Sequence, residues 1–543
     1  MHICSYLIRK YLVSNRLIRV AVAVILFSIF TSSDTFALDE SEDASFEIIG
    51  YTVEGNSILT ESMMLQALKG LAGKDKTGSD VEKARQALEA YYHKAGYPAV
   101  QVGVPQQTVE DGLVRLIVTE SKIRDVRVTG NRYFTRESIV NRLPSLSPGD
   151  DIFLPHIIQE FGLANRNPDM KISPVMIPGR EPGTIDVELK VTDKLPLHGS
   201  LEFSNRSSHS TEKLRLNGSL RYDNLWQKEH SFSIQYQTAP EETDQVKMLA
   251  ESYVFSAPWN TMHMIALYGV WSDSDTAFAE GLEVIGNGSI YGARYIVPLP
   301  ALKNLYHNIT IGVDYKDFNE DINFHDSEEE DLTTPIAYLP FLVTYSATQA
   351  DKMGKTQYSL GLNWTFRNLV TDQREFEIKR KYARGDYLYM TAGIERTNKL
   401  PLEMSLYAKL DGQIASEPLI SNEQYIAGGM ESVRGYKESE LAGDYAVHST
   451  VEINFPELIN ALGFKKSRIN ATLYYFYDIA KVWKKNPLPG EDKSTGIQGV
   501  GWGVKGTLFN NFEYRFDWAI ALEDTDMVKS GDDTGYFMVK YAF

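Results

Sequence analysis

The chain has 543 residues, enough for several domains, and a formal charge of −17, which makes it a poor binder of nucleic acid. Its one cysteine is Cys4, so no disulfide, thiolate metal site or catalytic cysteine can be built from the rest. Tyrosine and glycine are abundant, at 31 and 39 residues, yet past the amino terminus no apolar run approaches the length of a membrane-spanning helix. A membrane barrel fits that balance, because alternate residues of each strand face water and tyrosines gather at the interfaces.

Residues 1–37 read as a secretory signal. Arg9, Lys10, Arg16 and Arg19 form a positive region, Val20 to Phe30 is uncharged and apolar, and Thr35-Phe36-Ala37 is an acceptable cleavage site. Cys4 lies inside it, so the mature chain is expected to carry no thiol, which suits export into a bacterial envelope. Residues 38–45 then form a short linker.

Residues 46–120 and 121–194 read as two copies of one module. Val53-Glu-Gly-Asn-Ser-Ile-Leu-Thr60 is echoed about 75 residues later by Val128-Thr-Gly-Asn-Arg-Tyr-Phe-Thr135, and repetition at such a period marks a structural unit. Each Gly-Asn falls in a turn after a short β-run, and Thr60 and Thr135 are candidate helix N-caps. In the first copy Ser79-Asp-Val-Glu82 reads as a capping box for a helix through Tyr92 that stops at Gly96, followed by strands near Tyr97–Val104 and Leu113–Thr119. The second copy repeats the order, with helices near Thr135–Leu143 and Leu154–Asn165 and strands near Lys171–Ile177 and Thr184–Thr192. Each is a β-α-α-β-β unit.

Residues 195–543 change to strand after strand. Leu197–Ser204, Leu214–Tyr222, Ser231–Gln237, Gln357–Thr365 and Phe512–Trp518 alternate apolar with polar residues, and the whole stretch predicts about 16 antiparallel strands. In the last of these Glu513, Arg515 and Asp517 share a face and need water or one another. Short connections such as Pro258–Thr261 and Asn510-Asn511 alternate with long ones at Asp317–Thr334, Arg367–Gly385 and 415–444. Short turns at one end and long polar loops at the other match the two sides of an outer membrane. The acidic run Glu328–Asp331 lacks the spaced ligands of a calcium loop and reads as a solvated loop.

The longest loop holds Gly428-Gly-Met-Glu-Ser-Val-Arg-Gly-Tyr436. In Asn470–Asp478 the alternation turns Tyr474, Phe476 and Asp478 toward the lumen, where a loop folded inward could bring Arg434 to Asp478. Gly435 would let the backbone turn beside the arginine. On the next strand Gly499, Gly501 and Gly503 share one parity and would clear side chains from the wall beside Asp478. The same stretch matches G-x-G-x-x-G, but a strand follows where a nucleotide loop needs a helix, so that motif is rejected. The chain ends on a strand with Phe537, Val539, Tyr541 and Phe543 on one face, suited to lipid contact where the last strand meets the first.

On these residues the chain resembles outer-membrane two-partner secretion translocators of the haemolysin-activation and adhesin-secretion type, a branch of the superfamily that also inserts barrel proteins. The resemblance implies two polypeptide-transport-associated (POTRA) domains before a transmembrane barrel. Val433-Arg434-Gly435-Tyr436 matches the family's loop motif, and Phe476-Tyr-Asp478-Ile-Ala480 its strand motif, with Ala480 where glycine is usual. Phe543 resembles the signal read by the barrel-assembly machinery. Many members carry an amino-terminal plug helix; here only residues 38–45 precede the first repeat, so pore closure is expected from the Arg434 loop or the others.

The implied function is secretion of a large partner exoprotein, a β-helix-rich adhesin or haemolysin, across the outer membrane and in contact with its lipid. POTRA domains would capture unfolded cargo by strand addition, with the strand Tyr97–Val104 and the helix before it as the candidate surface and Tyr97, Val100 and Val102 as candidates for the contact. A barrel insertase shares the fold but usually has more POTRA repeats, and a diffusion pore leaves the repeats and the Arg434 loop unexplained. No cofactor, metal or enzymatic activity is expected, since no metal-ligand spacing or nucleophile motif is present.

Overall fold

The computed structural model describes residues 45–109, 111–274, 276–279, 282–285, 287–322, 332–461, 463 and 468–543. The expected signal, the linker up to residue 44 and the acidic run Glu328–Asp331 lie outside the described residues. Two compact units divide the chain, one ending at Pro196 and one running from Leu197 to Phe543.

In the first unit each repeat builds a three-stranded sheet backed by helices. Gly50–Glu54 runs parallel to the central strand Leu113–Glu120, and Val100–Gly103 runs antiparallel along its other side. The second module repeats this with Lys122–Thr129, Thr184–Asp193 and Met170–Pro178. The Gly-Asn echo has one physical cause. Gly55 and Gly130 hold φ of +81° and +84°, and a Cβ on either would strike a carbonyl oxygen of the central strand, at Val118 or Val191. Each asparagine then closes its own turn, Nδ2 of Asn56 donating to the Leu59 carbonyl and Nδ2 of Asn131 to that of Phe134, both at 2.8 Å. An acidic residue at the end of the central strand accepts the remaining amides. Glu120 takes those of Ser57 and Ile58, and Asp193 those of Arg132, Tyr133 and Phe134.

The helix ends differ in detail from the sequence expectation. The helix of the first copy spans Gly78–Ala95 rather than starting from a box at Ser79–Glu82; Thr77 is its N-cap and donates its amide to Asp80 at 3.1 Å. Asp80 sits at the third helical position, where its carboxylate reaches back to the cap, whereas Ser79 is already inside the first turn. Thr135 caps Arg136–Val140 by accepting the Ser138 amide at 3.2 Å, while Thr60 precedes Glu61–Ala67 without such a bond. The strand expected over Tyr97–Val104 is confined to Val100–Gly103.

The second unit is a closed antiparallel barrel. Leu332–Tyr338 and Phe341–Ala350 are halves of one strand interrupted at Leu339-Pro340, and both pair with Leu305–Ile322. Counted so, the barrel has 16 strands. Closure joins Asp533–Ala542 to Leu197–Ser204, with Tyr541 opposite Leu201 and Val539 opposite Phe203. Phe543 adds reciprocal backbone bonds to Gly199, at 3.0 and 3.2 Å, and its ring covers the space a Cβ on Gly199 would need. Leu220, Ile234, Leu360, Trp518, Val539 and Phe543 are all exposed on the outer face. Such a belt would be an aggregation surface in water, and lipid solvates it.

Several strands outrun the sequence expectation. Asn260 and Thr261 begin a strand rather than finishing a turn, and the expected loop Asp317–Thr334 is strand up to Ile322 and again from Leu332. Apolar alternation marks only the lipid-facing part of a hairpin. Backbone pairing continues beyond it into water, where charged side chains are no obstacle.

Purified protein in detergent should migrate as a compact species on unheated gels and shift on boiling; one position under both conditions would deny a closed barrel. Gly130→Ala should destabilise the second module by about 1–3 kcal/mol, through strain and the clash with Val191, without altering that gel shift. Thermal unfolding followed beside the gel measures both.

Candidate functional site

The connection between strands Ser405–Ala415 and Tyr445–Asn454 enters the lumen on a two-stranded stem, Tyr425–Ala427 paired with Leu441–Gly443. Its tip carries Arg434, which is 2 % exposed. The guanidinium grips Asp478 with two parallel bonds, Nε to Oδ2 at 2.6 Å and Nη2 to Oδ1 at 2.8 Å. The Arg434 amide donates to the same carboxylate at 3.2 Å. Nη1 donates to Glu452 Oε1 at 2.8 Å, and the Phe476 ring lies under the guanidinium carbon at 3.4 Å. Charge, fork geometry and an aromatic face are thus all supplied at once. Burial disfavours the Arg434 charge, but Asp478, through its hydrogen bonds and charge, with Glu452, outweighs that and holds its pKa above the ordinary value.

The residues beside Arg434 fasten the loop to other walls. Val433 is buried among Ala427, Ala480 and Ile497. Gly435, at φ +108°, donates its amide to the Tyr536 hydroxyl at 2.9 Å, and that hydroxyl donates to the Tyr436 carbonyl at 2.5 Å. The Tyr436 hydroxyl in turn accepts the Glu523 amide at 3.0 Å. The loop tip therefore bridges strands Tyr445–Asn454 and Ile469–Trp483 to the closing strand. Ala480 adds a methyl to the apolar cluster around Val433.

The three glycines lie directly across from the motif strand, Gly499 opposite Asp478, Gly501 opposite Phe476 and Gly503 opposite Tyr474. They make room for different things. A Cβ on Gly499 would land on the Arg434 carbonyl oxygen, one on Gly501 would strike the Trp518 carbonyl oxygen and the Phe476 ring, and one on Gly503 the Asp517 carboxylate and the Tyr474 ring. Of the three, Gly499 clears space for the loop itself; the other two make room for groups of the wall.

Several groups escaped the sequence reading. Glu452 also pairs with Lys505 at 3.2 Å, and Glu431 of the loop meets Arg515 at 2.7 Å; the Arg515–Asp517 pair, expected from their shared face, forms at 2.8 Å. Glu438 meets Arg206, and Glu440 meets His209, both from the connection after the first barrel strand. Glu452 was detectable in principle, because His448, Thr450, Glu452 and Asn454 form the polar parity of their strand. Tyr536 carried no signal that set it apart from other aromatics.

The three cargo candidates are not side-by-side surface groups. Val100 and Val102 are 3 % and 4 % exposed, packed in the core of the first module, because the two-residue period turns both toward the helices. Tyr97 precedes the strand, its ring centre 5.1 Å from that of Phe153. What the edge strand offers outward is backbone, and one helix already holds it. The Val102 amide donates to Glu89 at 3.1 Å, its carbonyl accepts from Arg85 at 3.1 Å, and His93 Nε2 lies 3.1 Å from the Val100 carbonyl.

Comparison with known proteins gives this arrangement its context. Residues 183–506 match the family model of haemolysin secretion/activation proteins ShlB/FhaC/HecB, and residues 46–121 match the ShlB-type POTRA domain. The chain is 17 % identical over 493 residues to the heme/hemopexin transporter protein HuxB of Haemophilus influenzae, covering 89 % of this chain and 84 % of that one. It is 24 % identical over 385 residues to the outer membrane transporter CdiB of Dickeya dadantii, covering 67 % and 64 %. The structure of CdiB from Escherichia coli superposes with a TM-score of 0.62 at 17 % identity, over 96 % of this chain and 95 % of that one, a likeness of fold. With its barrel and POTRA domain, the chain belongs to the haemolysin secretion/activation family and is an outer-membrane transporter of two-partner secretion.

Proposed function

We propose that this transporter carries an unfolded partner exoprotein from the periplasm through the barrel, with the first module taking hold of the cargo and the Arg434 loop setting the state of the pore. The observation that carries the second part is the loop tip inside the lumen, its buried arginine held by carboxylates of two neighbouring strands. A diffusion pore has no use for such a plug. An insertase shares the fold, but the family matched is one of secretion and activation proteins, which favours secretion.

The cargo would be a β-helix-rich adhesin or haemolysin whose folding outside the cell makes each emerging segment hard to retract, so the chain itself needs no catalysis. Capture by strand addition would use the edge Val100–Gly103, with the incoming segment replacing Glu89, Arg85 and His93 on its outward backbone groups. The outward aromatic row ending in Phe543 would be presented to the barrel-assembly machinery.

Deleting residues 46–120 should abolish secretion while the barrel still inserts; secretion at the normal level would remove the first module from cargo recruitment. For the loop, Arg434→Ala should cost more than Asp478→Ala, because it strands Asp478 and leaves Glu452 only Lys505, whereas the second change leaves Arg434 with Glu452. Breaking the Asp478 pair costs about 3–5 kcal/mol if it is fully dry, and less where water enters the lumen. The double variant should lose little more secretion than Arg434→Ala alone. Simple addition of the two losses, with equal barrel insertion, would mean that the residues do not act as a pair.

A further inference from the structure

At the end of the long connections a second group of residues, which take no part in the Arg434 contacts, packs against the inside of the barrel wall. The connection 365–387, between strands Gly354–Trp364 and Leu388–Lys399, carries the short helix Gln373–Lys379. Its inner and outer faces are sharply different, with Phe376 3 % exposed and Ile378 58 %. Phe376 packs edge-on against Tyr338 of the barrel wall, ring centres 5.8 Å apart. Leu419 and Ile420, from the start of the Arg434 loop, join it over Phe318 and Ile336. The connection is also braced internally. Gln373 donates to the Ala383 carbonyl at 2.8 Å and accepts the Gly385 amide at 3.0 Å. A segment with its own bonds and its own apolar underside is a formed body rather than a solvated turn.

One carboxylate fastens it. Arg380, just past the helix, places Nη1 and Nη2 on Asp444 at 2.5 and 2.8 Å, and Asp444 is wholly buried. The same carboxylate accepts the Leu419 amide at 2.8 Å and the Lys485 amide at 2.7 Å. Connections 365–387, 416–444 and 484–493 therefore meet at a single side chain. On another part of the wall, the buried Glu423 carboxylate accepts the Tyr338 and Tyr389 hydroxyls at 2.7 and 2.8 Å and pairs with Lys316.

We infer that connection 365–387 is a lid over the outer exit of the pore, latched by Arg380 on Asp444, and that exported chain leaves only when the latch opens. A buried aspartate left without its arginine is costly, so the three connections meet together or the carboxylate is hydrated and they part together. The lid does not touch the Arg434 fork, which rests on strands Tyr445–Asn454 and Ile469–Trp483, so the two closures are separable. The inference rests on the barrel being a transport pore and is independent of how the modules capture cargo.

The test is the conductance of the full-length protein in planar lipid bilayers, with barrel assembly checked by the gel shift. Replacing residues 368–384 by a Gly-Ser linker, or Phe376→Ser, should raise the open fraction, and Asp444→Asn should raise it roughly tenfold by weakening the fork to Arg380. The same variants should admit a bulky antibiotic to intact cells. Lid variants that are assembled yet conduct as the parent does would overturn the lid. Conductance that rises on lid removal but not with Asp444→Asn would overturn the latch. Deletion of residues 46–120 should leave conductance unchanged, so a failure of cargo capture is not confused with either result.

Discussion

A guanidinium taken out of water needs acceptors on more than one side, and Arg434 finds them only where two adjacent strands present carboxylates to the same space. Asp478 and Glu452 belong to strands Ile469–Trp483 and Tyr445–Asn454, paired so that Thr450 lies opposite Asp478 and Glu452 opposite Phe476. The aromatic base of the arginine and its two acceptors therefore follow from one register. A one-residue slip of strand Ile469–Trp483 would turn Asp478 and Phe476 to lipid and leave Glu452 behind. Barrel closure and loop position are in this way a single requirement, because a sheet free to shift would leave a charge with nothing to meet.

The same logic extends around the lumen. Inside a closed barrel the inward polar residues cannot all be satisfied by neighbours on the wall, so loops supply what is missing. Arg515 reaches Glu431, Arg206 reaches Glu438 and Lys316 reaches Glu423, each a wall or mouth residue completed by the one long loop. That loop behaves as the interior of the protein, doing with ion pairs what a soluble domain does with apolar packing.

The architecture was legible because its signals are periodic. Alternation in Leu197–Ser204 or Phe512–Trp518 marks lipid and lumen without any knowledge of partners, and the Gly-Asn turn recurs because its glycine, asparagine and acid work as a unit. Arg434 and Asp478 could be matched across 44 residues because parity puts Asp478 inward and the glycines empty the wall beside it. What stayed hidden depends on contacts between elements that share no pattern. Glu452 is one of several inward polar residues on its strand, the helix Gln373–Lys379 is too short to declare itself, and Asp444 looks like an ordinary loop aspartate. Val100 and Val102 differ from expectation in the opposite sense. A strand edge was correctly suspected, but side-chain parity assigns their side chains to the core and leaves only backbone outside.

The alternation of the barrel strands also bears on how such a protein can change over generations. A lipid-facing position asks only for apolarity, so valine, leucine, phenylalanine or tryptophan can succeed one another there with little penalty. Gly499 has no such freedom, since any side chain would occupy the place of the Arg434 carbonyl. Half of each strand is thus open to drift while a few inward positions are held by geometry. A chain built this way can keep its fold while most of its sequence changes.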